Sequence, residues 1–194
     1  MKKLVMTMVL GSMLIIGACG NNKEESMNKE NISNQESPSK KISEKTDDIE
    51  SYKGLRIGDL VSVNYAKAFK GKYAFDFTLN KLEFTDQPLG GSEAEYESSF
   101  IIADITIKNV GKEALPLEQL ENMKIGPAIF DFGVDYEFND IDGSAKLGVG
   151  ESITGKMVTD FRKLDSKLTW GLEGITTVFS YDIKADEIGD YVPE

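Results

Sequence analysis

The chain has 194 residues, a formal net charge of −11 from 33 acidic and 22 basic residues, a single cysteine and no histidine. The missing imidazole removes the commonest general base and metal ligand, and with it every Ser-His or Cys-His nucleophile arrangement. One cysteine cannot close an intramolecular disulfide, and a chain this acidic lacks the basic surface that meets nucleic acid.

Lys2 and Lys3 precede a run from Leu4 to Ile16 that carries no charge. This is the basic start and short apolar core of an export signal, and it falls short of the ~20 apolar residues that a membrane-crossing helix needs. Ile16 stands three residues before Cys19, where an ordinary secretory cleavage site takes a small residue. The run Ile16-Gly17-Ala18-Cys19 instead resembles the bacterial lipoprotein lipobox, in which an aliphatic and two small residues precede an acylated cysteine. The resemblance implies a signal peptide at residues 1–18, lipidation at Cys19, and attachment to the extracytoplasmic face of the cell membrane. A glyceride carrying two chains anchors stably where a single chain does not, and an anionic lipid surface would repel a chain of this charge.

Residues 19–54 are dominated by Asn, Lys, Glu and Ser, with Pro38 among them. Such a composition buries too little apolar surface to offset its ordering entropy, so it reads as a disordered polar tether. From residue 55 on, 14 basic residues face 25 acidic ones. The negative charge therefore belongs to the folded part.

Residues 55–194 read as one domain of alternating strands. Tyr73, Phe75, Phe77 and Leu79 share one face, and after Asn80 the phase moves to Leu82 and Phe84, as a bulge would cause. "FIIADITIKN", Phe100 to Asn109, sets Ile101, Ala103, Ile105 and Ile107 against Asp104, Thr106 and Lys108. Further strands are expected at Val61/Val63/Tyr65, Val134/Tyr136/Phe138, Ile153/Met157 and Phe179/Tyr181/Ile183, separated by turn signals such as Asp142-Gly143 and Gly148-Val149-Gly150. "LPLEQLENM", with Pro116 at a first turn and Leu117, Leu120 and Met123 three apart, predicts one short helix. The spacing is that of an all-β antiparallel sandwich.

"FIIADITIKNVGKEALPL" and the later "LGVGESITGKMVTDF" resemble a family of uncharacterised extracellular domains of bacterial lipoproteins. These are Ig-like, often called telokin-like, and are grouped by fold with a mycobacterial immunoprotective secreted antigen. The resemblance rests on Lys108-Asn109 followed by Gly111, and on Leu147, Gly150-Glu151, Gly155 and Phe161. It implies an Ig-like β-sandwich outside the membrane and brings no catalytic constellation with it.

The acids Asp131, Asp135, Glu137, Asp140 and Asp142 crowd one stretch, and such oxygen ligands suit calcium. The EF-hand template fails, because placing Gly143 sixth puts Phe138 first and Val149 twelfth. The plainer reading is a hairpin whose turn residues are Asp142 and Gly143. A glycan hydrolase built on two carboxylates is a further alternative, although the sequence selects no pair. Met123 and Met157 read as core rather than as thioether ligands of copper, and Trp170 as partly buried core. The expectation is a non-catalytic binding module without cofactor or metal, anchored to the membrane through Cys19 and facing a protein or cell-envelope partner. A calcium-dependent or small-ligand capture protein is the alternative.

Overall fold

The strict period-two stretches become the two longest strands, paired along their whole length. In the computed structural model, which describes residues 49–66, 73–95, 99–138 and 140–193, the strands are, in chain order, β1 (Ser51–Leu55), β2 (Leu60–Asn64), β3 (Ala74–Thr85), β4 (Ser99–Asn109), β5 (Leu115–Pro116), β6 (Lys124–Ile125), β7 (Ala128–Ile129), β8 (Asp131–Phe132), β9 (Lys146–Leu147), β10 (Ser152–Phe161), β11 (Ser166–Trp170), β12 (Val178–Ile183) and β13 (Ile188–Asp190). The signal-peptide reading of residues 1–18, the lipidation site Cys19 and the tether reading as far as residue 48 lie outside the described residues.

Two sheets pack face to face. One has the order β1-β12-β11-β6-β7 and the other β13-β3-β4-β10-β8, with β2 also on β3; β5 and β9 form a small separate pair. Pairing is antiparallel except at two edges, where β1 runs parallel to β12 and β13 parallel to β3. Phe77 of one sheet meets Phe179 of the other at 4.9 Å between ring centroids, and Phe75 meets Trp170 edge-on at 5.5 Å. Phe75, Phe77, Leu79, Ile101, Ile105, Ile107 and Tyr181 are fully enclosed there, each large apolar side chain contributing roughly 1.5–3 kcal/mol of burial. The domain is thus an all-β sandwich, as its alternation predicts.

The phase change after Asn80 is a β-bulge: the β3–β4 register shifts between Leu79 and Lys81. The extra residue faces outward, and the Asn80 Nδ2 group donates to Asp104 Oδ1 at 2.7 Å and Thr106 Oγ1 at 2.8 Å. A second apolar layer lies on the outer face of the same sheet. There Phe100, Ile102 and Val158 are covered by Leu89, Tyr136, Phe138 and Tyr191.

Three expectations need correction. The folded part begins before residue 55, because Ile49, Tyr52 and Leu55 are buried and β1 already pairs with β12. The polar neighbours of these residues mask the pattern, and a register shift between Tyr52 and Leu55 sets the buried positions three apart where a regular strand alternates. Val134, Tyr136 and Phe138 do not form a strand. The segment Gly133–Tyr136 is a 3-10 turn ending at Glu137 with φ 65°, and a Cβ on Gly133 would lie 2.4 Å from the Lys156 carbonyl. The chain therefore crosses tight against β10, and Tyr136 and Phe138 turn onto the outer layer, meeting Phe100 and Tyr191 edge-on. Finally, Asp142-Gly143 is no two-residue hairpin. Asp142 Oδ1 accepts the Ser144 N–H at 2.8 Å, while β9 leaves to pair with β5. Gly143 is needed for room, since a Cβ there would stand 2.3 Å from the Phe132 ring. The short helix expected after Pro116 is a single 3-10 turn, Leu117–Leu120.

Candidate ligand cleft

One end of the sandwich is built by backbone and amide hydrogen bonds. Asn109, the last residue of β4, is completely buried. Its Nδ2 donates to the carbonyls of Glu113 and Leu147, both at 2.9 Å, and its Oδ1 accepts the Gly111 N–H at 2.9 Å. Its own N–H reaches the Glu151 carbonyl and its carbonyl accepts from Gly150. The residues that carry the family resemblance on either side of the chain therefore meet in one knot, with both hydrogens and the oxygen of the Asn109 amide engaged.

Beside this knot the 3-10 turn Leu117–Leu120 faces the loop from Gly171 to Thr176 across a cleft of 420 Å³, within the ~300–1,000 Å³ usual for ligand cavities. Gln119 ties its walls together: the Tyr65 hydroxyl donates to Gln119 Oε1 at 2.7 Å, and Trp170 Nε1 donates to the Gln119 carbonyl at 3.2 Å. Tyr65 bridges to Thr176, and Ala66 N–H reaches the Ile175 carbonyl, so β2 of one sheet grips the β11–β12 loop of the other. The loop is held from within as well, since Thr176 Oγ1 accepts the Leu172 N–H at 2.8 Å and donates to the Thr177 carbonyl. Gly171 has φ 110° and sits where a Cβ would come 2.3 Å from the Thr177 carbonyl, so only glycine brings the chain this close.

Trp170 is 6% exposed and stacks on Phe179 at 5.6 Å. It belongs to the core, as expected, and also floors the cleft. Burial, with Tyr73 adding to it, pushes the Tyr65 phenol up to about 12, so it stays protonated and acts as a donor. On the rim, Leu172 is 57% exposed. Glu118 and Glu121 also line the cleft, and their carboxylates have no hydrogen-bond or ion-pair partner among the described residues. No basic side chain lines it.

Two other hollows hold lysines and an arginine already paired with acids. Around Arg56, Lys184 pairs with Asp165 at 2.7 Å, Lys167 with Asp182 at 3.0 Å, and Arg56 with Glu187. On the outer sheet face both lysines are paired, Lys81 with Glu83 at 2.6 Å and Lys156 with Asp140 at 3.8 Å, Asp104 accepts from Asn80, and the Glu137 carboxylate has no partner among the described residues. An acidic ligand at either would have to displace an existing partner of the basic groups.

The acids of 131–143 do not converge. Asp140 accepts the backbone N–H groups of Ile141 and Lys156, Asp142 that of Ser144, and Asp131 the Tyr136 hydroxyl at 3.3 Å. Among the described residues no three His, Cys, Asp or Glu side chains are grouped to hold a metal ion. Met123 and Met157 are both fully buried in the core. Also among the described residues, no helix is long and apolar enough to cross a membrane.

Sequence reading places Tyr65 only on a strand and gives no site role to Gln119, Glu118, Glu121 or Leu172. The signal nearest to them is "WGLEG", where an aliphatic and an acid sit between two glycines directly after the only tryptophan.

No protein family model and no curated protein sequence matches the chain. Among solved structures it is similar to MPT63, a secreted protein from Mycobacterium tuberculosis, at 12% identity and a TM-score of 0.50, covering 69% of this chain and 98% of that one. It is also similar to an uncharacterised β-sandwich protein from Clostridium difficile 630, at 14% identity and a TM-score of 0.47, covering 73% of this chain and 100% of that one. The first likeness shows a shared β-sandwich fold.

Proposed function

We propose that this protein is a lipid-anchored, non-catalytic binding module, held on the extracytoplasmic face of the membrane through Cys19, with the Tyr65–Trp170 cleft as its binding surface. The observation that carries the reading is a cleft that joins an aromatic and aliphatic lining to two carboxylates unpartnered among the described residues with no basic group beside them, whereas the other hollows hold basic groups already paired with acids. Its backbone is pinned by Gln119, Thr176 and the Asn109 knot, so a ligand would meet walls that need little further ordering. Because β1 runs parallel to β12 with Ser51 beside Val178, the chain leading from Cys19 joins the domain at the same end as the cleft. The partner is a protein or another component of the cell envelope.

Two measurements test the reading. Cys19→Ser should move the protein from the membrane fraction to the soluble one; retention in the membrane refutes the anchor. Trp170 is the only tryptophan, so under native conditions the emission comes from the floor of the cleft. Size-separated envelope fractions titrated against the full chain in detergent should include one that shifts this emission saturably, with the shift lost in Leu172→Arg. A survey in which no fraction does so refutes the cleft as binding surface. The calcium-dependent alternative finds less support, because Asp131, Asp140 and Asp142 face separate partners and no three acids are grouped among the described residues.

A further inference from the structure

We propose that the cleft takes the cationic side chain of a basic protein segment, an arginine or a lysine reaching past Leu172 toward Tyr65 and Trp170. The proposal rests on the reading of the cleft as the binding surface. Glu121 N–H bonds to the Glu118 carbonyl at 3.0 Å, so the two acids stand one 3-10 turn apart, a spacing that stacks side chains on one side. Both line the cleft, both are exposed, and neither has a partner among the described residues. An anionic ligand would meet these like charges with no basic group in the lining to offset them. A neutral sugar would find the aromatic rings, but the Tyr65 hydroxyl and the Trp170 N–H are already committed to Gln119.

An arginine or lysine uses what remains. Its aliphatic stem matches Leu172 and Ile175, and its charged head meets carboxylates that receive it with charge-assisted hydrogen bonds. Aromatic rings alongside add an attraction of their own for a cation. The excess of acids from residue 55 on steers a basic partner toward the domain before contact.

The test is a titration of the full chain in detergent, read by Trp170 emission and by calorimetry. The probes are an acetylated, amidated Gly-Arg-Gly-Lys-Gly peptide, its Glu-for-Arg/Lys counterpart, a chitin oligosaccharide and spermidine. The basic peptide should shift the emission saturably and bind at least tenfold more weakly to Glu118→Gln/Glu121→Gln. Raising salt from about 0.05 to 0.5 M should weaken it further, because the pair is exposed enough to be screened. Both substituted residues are exposed, and an unchanged melting temperature confirms that the double variant folds. An unaffected double variant, or a basic peptide that leaves Trp170 unmoved, overturns the proposal. Saturation by the oligosaccharide or an envelope fraction but not by the peptide overturns the charge inference while the cleft stands as a binding surface. Spermidine binding as tightly as the peptide assigns the cleft to free amines and overturns the protein-segment claim.

Discussion

Replacing Asn109 separates the contribution of one buried amide from that of the strands around it. The side chain makes three hydrogen bonds, each 2.9 Å long, to Glu113, Leu147 and Gly111, in a position with no access to water. Asn109→Ala removes all three and leaves two carbonyls and one N–H behind. At roughly 1 kcal/mol net per bond, with more where a buried partner stays unsatisfied, the loss is about 3 kcal/mol. For a domain of this size that corresponds to a fall in melting temperature of roughly 10 °C. Asn109→Asp keeps the shape and the acceptor for Gly111 but turns an oxygen toward the two carbonyls. Burial and those oxygens disfavour the charged form, so the new carboxyl titrates above its unfolded value near ~4. A folded-state value raised in this way means that stability is fully present below the unfolded value and lost as pH rises through the folded one. The deficit of Asn109→Asp relative to the parent chain should therefore deepen by about 1.4 kcal/mol per pH unit between those two values. Urea denaturation followed by Trp170 emission, at pH steps from 4 to 8, measures both effects. An Asn109→Ala variant within about 1 kcal/mol of the parent would refute the hydrogen-bond argument, and so would an Asn109→Asp deficit that does not change with pH.

Gly171→Ala combines a left-handed φ with a Cβ 2.3 Å from backbone and should cost at least about 2 kcal/mol. Gly58→Ala, with φ 92° and nothing within 4 Å of its Cβ, carries only the backbone strain and should cost about 1 kcal/mol; equal losses in urea would discredit the steric part. Burial holds the Asp160 carboxyl above the ordinary carboxylate range, with Glu95 and Asp131 adding to the shift and the Glu95 N–H opposing it; its Oδ1 has no partner among the described residues. The folded state thus favours the protonated acid, a contribution present below the unfolded value and lost as pH rises. Asp160→Asn should accordingly melt above the parent chain at pH 7, with the gain fading toward pH 3, and a gain independent of pH would contradict this. Because Asp140 and Asp142 already hold backbone N–H groups, calorimetry of the full chain with calcium should give no millimolar isotherm. One that appears and is lost in Asp140→Asn/Asp142→Asn would reinstate the calcium site.

Where apolar residues alternate on a strand buried on one face, period alone locates it, which is why β3, β4, β10 and β12 are legible together with the bulge at Asn80. Val134, Tyr136 and Phe138 carry the same period and yet form a turn, because they cover Phe100 and Ile102 on the outer face of β4 instead of joining a sheet. That outer layer is itself hidden in "FIIADITIKN", where the excess of apolar residues at Phe100 and Ile102 marks the end of the strand buried on both faces. Strand β1 escapes notice for the opposite reason: only Tyr52 and Leu55 face inward among polar neighbours. The cleft was beyond reach of the sequence. Tyr65, Gln119 and Trp170 stand far apart along the chain and meet only through the registers that bring β2, the turn after β5 and the end of β11 to one end of the sandwich.

The same hydrogen bonds explain why that end can be rigid in its backbone while its rim stays available. Asn109 fixes the chain leaving β4 against the chain entering β10, and Thr176 closes the β11–β12 loop on itself. Gln119 holds the 3-10 turn to both walls. None of these contacts uses the side chain of Glu118, Glu121 or Leu172, so the groups that stabilise the end and the side chains that face solvent there are different. Rim substitutions should then change binding without changing stability, whereas Asn109 or Gly171 variants change both. A surface organised in this way would enter a complex with little ordering left to do, and its affinity would follow the chemistry of its rim.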